Sequence, residues 1–190
     1  MLKELVIRNR SYRRFDENHK ISADELKELI DLARLTPSSV NWQPLRYALV
    51  CDEKNNSELF PCLSWAGLLK EWNGPCEGER PTAYVVILTD TAVAKNMKTD
   101  VGIVAQTIML GAVEKGLSGC MIGSVNRDKV FEILGINKER YSIDLVLALG
   151  KPAETVEIVD IPESGCTNYY RDENGVHYVP KRSLDDLIIF

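Results

Sequence analysis

The chain has 190 residues, of which 45% are hydrophobic and 27% are charged, and its net charge at pH 7 is −5. This composition predicts a single folded domain over residues 1–190 and argues against an intrinsically disordered chain. The acidic balance disfavours nucleic-acid binding, and the lack of a long apolar run or a signal-peptide pattern predicts a cytoplasmic protein with no membrane partner.

The predicted elements alternate between helix and strand, without repeats or long linkers. Helices are predicted where apolar residues recur every three or four positions, and strands where β-branched and aromatic residues cluster. The predicted helices cover an N-terminal segment that extends through Arg14 if it is continuous, 22–35, 64–72, 101–115 and 126–135. The predicted strands cover 46–52, 82–90, 120–123 and 143–152. The pattern predicts an α+β domain built around one sheet.

The chain ends in four apolar residues, LIIF at 187–190. An apolar tail exposed to water is unfavourable, so we expect it to pack on the domain or on a partner chain.

Cysteine and histidine are placed in a way that offers no metal site. The five cysteines are odd in number and scattered, and His19 and His177 lie far apart. The sequence therefore predicts reduced thiols, no metal cofactor and no serine–histidine catalytic triad.

Four arginines surround one serine in RNRSYRRF at 8–15. If the N-terminal helix continues through this stretch, Arg10, Arg13 and Arg14 share one face beside the Ser11 hydroxyl. Taken alone, the cluster is explained by a solvated basic helix end, which the helix dipole favours. The alternative is a phosphate site, because guanidinium groups and a hydroxyl match phosphate oxygens.

Three further segments have both a plain and a functional interpretation. TPSSVNWQP at 36–44 has the composition of an ordinary turn, but its hydroxyls and carboxamides also match the pyrimidine edge of a flavin. LSGCMIGS at 117–124 contains two glycines, which serve tight turns or allow a flat ligand close to the backbone. The basic pair at 181–182 is a solvated charge pair or part of an anion site.

In combination these segments resemble the nitroreductase family of flavin mononucleotide (FMN) enzymes. The segments that carry the resemblance are RSYR at 10–13 with Phe15, PSSVNWQP at 37–44, DVGIVAQTIMLGAVEKGLSGC at 100–120, MIGS at 121–124, LALGKP at 147–152 and KR at 181–182. The resemblance implies a mostly antiparallel sheet flanked by helices, and a homodimer with flavin sites at its interface.

The resemblance also implies which residues would contact the flavin. The phosphate contacts would come from Arg10, Ser11, Lys181 and Arg182. Contacts to the ring would come from Arg13 at the N1 and O2 edge and from backbone around Ile122 and Gly123 near N5. The second subunit would contribute Pro37, Ser38, Ser39, Asn41 and, near the pyrimidine edge, Gln43.

The implied activity is hydride transfer from NADH or NADPH, through the flavin, to a nitroaromatic, quinone or similar small-molecule acceptor in a ping-pong mechanism. Because N5 of the flavin carries the chemistry, no catalytic side chain is expected, and Arg13 would stabilise negative charge on the reduced ring. Two alternatives remain open. One is another flavin reaction on the same fold, such as dehalogenation or flavin destruction, and the other is a flavin or nucleotide sensor without enzymatic activity.

The sequence departs from the family pattern in three respects. Asn9 stands where many members have arginine, and Leu45 replaces the tryptophan that usually follows the Gln-Pro pair. The chain is also short for the family in the region that usually builds the helices on the substrate side, which implies an open pocket.

Overall fold

Five α-helices and eight strands make up the fold in a computed structural model that describes residues 1–190. The helices are α1 (Leu2–Arg8), α2 (Ala23–Arg34), α3 (Glu53–Leu59), α4 (Lys98–Glu114) and α5 (Arg127–Leu134). The strands are β1 (Phe15–Asp16), β2 (Leu45–Val50), β3 (Ala83–Asp90), β4 (Ser118–Ile122), β5 (Tyr141–Pro152), β6 (Val156–Asp160), β7 (Tyr170–Arg171) and β8 (His177–Lys181). None of these helices combines the length and the apolarity needed to cross a bilayer.

Strand β5 organises the main sheet. It pairs with β3 along one edge and with both β4 and β1 along the other, and β2 pairs with the far edge of β3. All four pairings are antiparallel. The predicted α+β fold, with a mostly antiparallel sheet flanked by helices, is therefore confirmed.

The core lies on both faces of this sheet, as the composition of β3 requires. Every residue of β3 is buried, and successive side chains of a strand point to opposite faces. Alternate residues from Ala83 to Ile87 pack with α2 and α4, whereas those from Tyr84 to Leu88 pack with α3 and α5. Burial on both faces explains why this strand is a continuous apolar run rather than an alternating one.

Most predicted elements form within a few residues of their predicted bounds, because local capping signals fix their ends. The Ser22 hydroxyl accepts a hydrogen bond from the Glu25 backbone N–H at 3.2 Å, and the Glu25 carboxylate accepts one from the Ser22 N–H at 2.8 Å. Asn126 caps α5, and Gly135 ends it with φ of 61°, a left-handed conformation that suits glycine.

The predicted helix over 64–72 is wrong. This stretch forms turns, and its aromatic side chains are used in tertiary contacts. Trp65 packs against Phe60 with ring centroids 5.8 Å apart, and the Arg171 guanidinium lies 4.9 Å from the centroid of Trp72. Trp65 thus contacts a residue close to it in the chain and Trp72 a distant one, so the two side chains do not form one buried helix face.

Helix α3, the two-residue strand β1 and the second sheet were not predicted. Helix α3 buries only Leu59 and so lacks an apolar stripe, but Asp52 caps it by accepting a hydrogen bond from the Asn55 N–H at 2.9 Å. The second sheet consists of β8 between β6, which is parallel to it, and β7, which is antiparallel. Its strands carry exposed polar residues and so lack a clear apolar pattern.

The apolar tail does not pack on its own domain. Its side chains are strongly exposed, and the exposed large ones are Leu184, Leu187, Ile188, Ile189 and Phe190. Of the two expected locations, burial within the chain is wrong, and burial on a partner chain stays a prediction.

The contact between Gly150 in β5 and the buried ring of Phe15 gives a test of the packing. A Cβ at residue 150 would lie 2.7 Å from Cδ1 and 2.8 Å from Cγ of Phe15, far inside carbon contact distance. We expect Gly150→Ala to lower the free energy of unfolding by about 1–3 kcal/mol, measured by urea denaturation. Gly67→Ala is the control, because no atom lies within 4 Å of its Cβ position. Equal losses in the two variants would contradict the tight packing.

Candidate functional site

The segment that carries the arginine cluster is extended, not helical. Helix α1 ends at Arg8, and Asn9 is buried in an extended conformation. The Tyr12 N–H then donates to the Gly119 carbonyl of β4 at 3.0 Å. The expectation that Arg10, Arg13 and Arg14 share one helix face is therefore wrong, because pairing with β4 replaces the helical hydrogen bonds.

Three side chains of this segment, Arg10, Ser11 and Arg13, line the same cavity. Arg14 points elsewhere, where its Nε lies 3.3 Å from a carboxylate oxygen of Glu79. The arginines are thus divided between two environments.

The buried carboxylate of Glu154 holds this segment in place. One of its oxygens accepts hydrogen bonds from the backbone N–H groups of Arg13 and Arg14, the latter at 3.1 Å. The other accepts from Nη2 of Arg171 at 2.7 Å. The carboxylate is 2% exposed, so these three donors replace the water that it loses on burial.

Strand β8 supplies the opposite wall of the cavity. Its alternate residues His177, Val179 and Lys181 share one face and all line the cavity with Arg10 and Arg13. Arg182 follows β8, is exposed and does not line this cavity. The structure thus brings together four of the predicted residues, Arg10, Ser11, Arg13 and Lys181.

The cavity has a volume of about 270 Å³ and is strongly electropositive. Three cationic side chains line it, and no carboxylate does. Nε of Arg10 and Nε of Arg13 are buried donors without a protein partner, as is the Nδ1 of His177. Burial lowers the pKa of Arg10 from its usual value, but an arginine stays charged at neutral pH. The three cationic side chains and the absence of a carboxylate suit an anionic ligand.

A second cavity adjoins the first and contains the other predicted residues of this region. Ile122 and Gly123 line it at the end of β4, together with Trp65. Arg13, Met121 and Tyr169 line both cavities, so the two form one elongated site. Ile122 is buried, whereas Gly123 is exposed and has open space at its Cβ position.

The polar loop at 36–44 is held by a buried carboxylate on α4. The hydroxyls of Ser38 and Ser39 each donate to Asp100 at 2.6 Å, and the Ser39 N–H donates to it as well. Burial disfavours the charged form of Asp100, but these hydrogen bonds outweigh it, and its pKa lies below the usual value. The two hydroxyls predicted to line a flavin therefore have an observed role in fixing the loop.

The same loop has a strained backbone and exposed side chains. Val40, Asn41 and Gln43 have φ of 53°, 55° and 50°, in the left-handed region that a β-branched residue such as valine rarely adopts. The Gln43 amide donates to Oδ1 of Asn41 at 3.1 Å. Such strain persists only where surrounding contacts fix it, and it is often found at functional sites.

This loop borders a separate cavity of about 470 Å³. Pro37, Ser38 and Gln43 line it, with Trp42 and Asp100. None of its lining residues also lines the electropositive site. Within one chain, the structure therefore does not bring the loop together with Arg10 and Arg13.

Sequence reasoning missed four residues that shape the electropositive site: Tyr169, Arg171, His177 and Glu154. One of them had a usable signal. In the sequence HYVPK, His177 stands four residues before the predicted Lys181, and in a strand that spacing places both on one face. The other three act through contacts across more than fifteen residues of chain, which no local pattern predicts.

The fold and the site define an α+β protein with an electropositive cleft at the edge of its main sheet. Within that class, the chain belongs to the nitroreductase family, whose family model matches residues 7–74 and 77–151. No group of three or more His, Cys, Asp or Glu side chains is placed to hold a metal ion.

Individual relatives are similar over most of the chain. YdgI of Bacillus subtilis, named as an NAD(P)H nitroreductase, is 27% identical over 184 residues, covering 80% of this chain and 88% of YdgI. A structure named as a nitroreductase from Exiguobacterium sibiricum, in complex with FMN, has a TM-score of 0.67 and 24% identity over 81% of this chain and 89% of that one. A nitroreductase family protein from Streptococcus pneumoniae has a TM-score of 0.72 and 18% identity over 100% of both chains.

We expect Asp100→Asn to lower the free energy of unfolding by about 1–3 kcal/mol at pH 7, because the serine donors lose a charged acceptor. A carboxylate with a lowered pKa stabilises the fold above its unfolded-state pKa, and the effect is lost as the pH falls through its folded-state pKa. The difference from wild type should therefore persist down to about pH 4 and shrink below it. Denaturation curves across this pH range measure it.

Asp128→Asn is the matched control, since Asp128 is an exposed carboxylate in the first turn of α5 and has the same relation to a helix dipole. A loss from Asp100→Asn that is no larger than the control loss, or that does not change with pH, would contradict the role of the carboxylate.

Proposed function

We propose that this chain is an FMN-dependent oxidoreductase that takes hydride from NADH or NADPH and passes it to a nitroaromatic, quinone or similar acceptor by a ping-pong mechanism. Bound FMN would supply the hydride-transfer chemistry at its N5 atom. Family membership, the nitroreductase names of the relatives and the FMN-bound neighbour support this assignment.

The observation that carries the proposal is the electropositive cavity. Arg10, Arg13 and Lys181 line it with the Ser11 hydroxyl and without any carboxylate, which is the donor set that a phosphate monoester requires. Like charges gathered around one cavity repel each other, so a bound anion would remove a cost that the free protein carries.

The two adjoining cavities also suit the two ends of FMN. Arg10, Ser11 and Lys181 would bind the phosphate at one end, whereas Ile122 and Gly123 would approach the ring at the other, in the adjoining cavity. Arg13 lines both parts and would stabilise negative charge at the N1 and O2 edge of the ring. Arg182, beside Lys181, would add to the positive potential at the phosphate end.

We also propose that the flavin site is completed by a second copy of the chain. The loop with Pro37, Ser38, Ser39, Asn41 and Gln43 borders a cavity separate from the electropositive one. Large apolar side chains are exposed on α1, on this loop and in the tail, as at Val6, Trp42 and Ile189. A homodimer would cover such side chains and bring the loop of one subunit to the flavin of the other.

The purified protein should contain FMN, or bind it saturably, and anaerobic addition of NADH or NADPH should bleach the flavin absorbance. Metal chelators should not affect turnover with a nitroaromatic or a quinone, because the flavin carries the redox step. Visible spectra and mass identification of the released ligand measure both points. Absence of saturable FMN binding would contradict the proposal, and a bound flavin that neither nucleotide bleaches would favour the sensor alternative.

Arg10→Ala should weaken FMN binding by about 1.5–3 kcal/mol, roughly ten- to a hundredfold in the dissociation constant, because it removes a charge-assisted contact. Lys27→Ala is the control, since Lys27 is an exposed cation that is paired with Asp24 on α2 and lines none of the three cavities. Equal affinities of the two variants would exclude Arg10 from the phosphate site.

Heterodimers test whether two chains share one site. Suppose that Arg10 and Asn41 contact the same flavin from opposite subunits. A dimer of one Arg10→Ala chain and one Asn41→Leu chain then has one site that contains both substitutions and one site that contains neither. Isolated with two affinity tags, this species should retain about half of the wild-type FMN capacity at wild-type affinity. If both residues served a flavin from the same chain, every site would have one lesion, and no wild-type class would appear in the titration.

A further inference from the structure

A buried aromatic and polar cluster supports the guanidinium of Arg13. His177, which is 1% exposed, places its Nε2 atom 3.3 Å from Nη1 of Arg13. Arginine has only donors, so the imidazole nitrogen that faces it must accept the hydrogen bond and carry no proton. The contact therefore requires a neutral His177 with its proton on Nδ1, which is buried and has no protein partner.

Tyr169 packs against both groups. The centroid of its ring lies 5.2 Å from the centroid of the His177 ring and 4.9 Å from Cζ of Arg13. The hydrogen bonds of this guanidinium to the protein all come from Nη1, which also donates to the Ser11 carbonyl at 3.2 Å. Nη2 makes no hydrogen bond to the protein and is thus left for a ligand in the cavity.

The charges around His177 favour its neutral form. Arg13 and Arg171 are its cationic neighbours, Lys181 lines the same cavity, and the Glu154 carboxylate is already occupied by Arg171 and backbone N–H groups. Burial lowers the pKa of His177 to about 4, and the two arginines act in the same direction. At neutral pH the imidazole therefore remains an acceptor for Arg13.

We propose that His177 is a positioning residue for Arg13, accepting a hydrogen bond from Nη1 so that the rest of the guanidinium is directed into the cavity toward the N1 and O2 edge of bound FMN. This inference rests on the proposed function, because the ligand that Arg13 meets there is FMN. Negative charge develops at that edge on reduction, so a well-positioned Arg13 binds reduced FMN more strongly than oxidised FMN. His177 thereby sets part of the reduction potential without contacting the acceptor.

The test compares two substitutions of His177 that differ in one property. His177→Phe keeps a ring against Tyr169 but has no acceptor, whereas His177→Gln has a carbonyl oxygen that can accept from Arg13. Tyr178→Phe is the control for disturbance of β8, because its hydroxyl bonds to Asp172 and not to Arg13. The measurements are the dissociation constant of oxidised FMN, by titration of each apoprotein, and the reduction potential of the bound flavin.

We expect His177→Phe to lower the ratio of affinities for reduced and oxidised FMN about tenfold, which lowers the two-electron potential by about 30 mV. His177→Gln and Tyr178→Phe should stay within about threefold of wild type. In an Arg13→Ala background, His177→Phe should cause no further change, because the effect passes through Arg13. Should His177→Phe not fold, His177→Met also lacks the acceptor at similar volume and should give the same tenfold loss.

The apoprotein gives a readout that does not depend on FMN. A histidine with a lowered pKa binds no proton in the fold while the unfolded chain does, so wild-type stability should fall as the pH drops from about 6.5 towards 4. The same fall should be smaller in His177→Gln. Equal pH profiles would overturn the neutral acceptor and the proposal with it.

The outcomes separate this inference from the proposed function. An unchanged potential in a folded His177→Phe or His177→Met protein that binds FMN overturns the positioning role alone. If His177→Gln and Tyr178→Phe lower the reduction potential as much as His177→Phe does, the positioning role is also overturned. The change would then reflect only disturbed packing of β8. Failure of the wild-type protein to bind FMN overturns the proposed function, and the inference fails with it.

Discussion

The buried carboxylate of Glu154 is the contact on which the candidate site depends. It lies between β5 and β6, where the main sheet meets the smaller one, and it accepts hydrogen bonds from the backbone of the arginine segment and from Arg171 in β7. A buried carboxylate without such partners would be strongly destabilising, so the three contacts form together or not at all. This side chain therefore links the arginine segment to the smaller sheet, in addition to the contacts of Arg13 with His177 and Tyr169.

Asp100 holds the other polar segment of the chain, the loop at 36–44, in the same way. Like Glu154, it is a nearly fully buried carboxylate that accepts hydrogen bonds from a segment without regular secondary structure. Helices and strands satisfy their own backbone groups, whereas loops need other partners. Both segments that the sequence marked as functional are extended or turn structures, and each is held by a carboxylate on a rigid element or beside one.

The sequence predicts the parts of this structure that depend on contacts between residues close together in the chain, and it misses those that depend on distant residues. Strand β3 and helix α4 bury long apolar patterns, and Ser22 and Asn126 cap their helices through contacts within three residues, so these elements are predictable. The helix expected over 64–72 fails because this stretch forms contacts with residues far away in the chain: Trp72 meets Arg171, and the Leu68 N–H donates to the Tyr169 hydroxyl. In the site, the arginine cluster alone indicated a solvated helix end, and only the resemblance of several segments to one family implied a phosphate site. The extended path after Arg8 depends on β4 and Glu154, which local patterns do not include.

The bond between the Arg13 backbone and Glu154 spans 141 residues of sequence, and that between Arg13 and His177 spans 164. During synthesis, the N-terminal segment therefore cannot form these contacts until nearly the whole chain has been made. Contacts of such long range form slowly because closing a large loop costs chain entropy. The central strands and helices have shorter-range partners available earlier, so the cleft is among the last parts of the molecule to be completed on the ribosome.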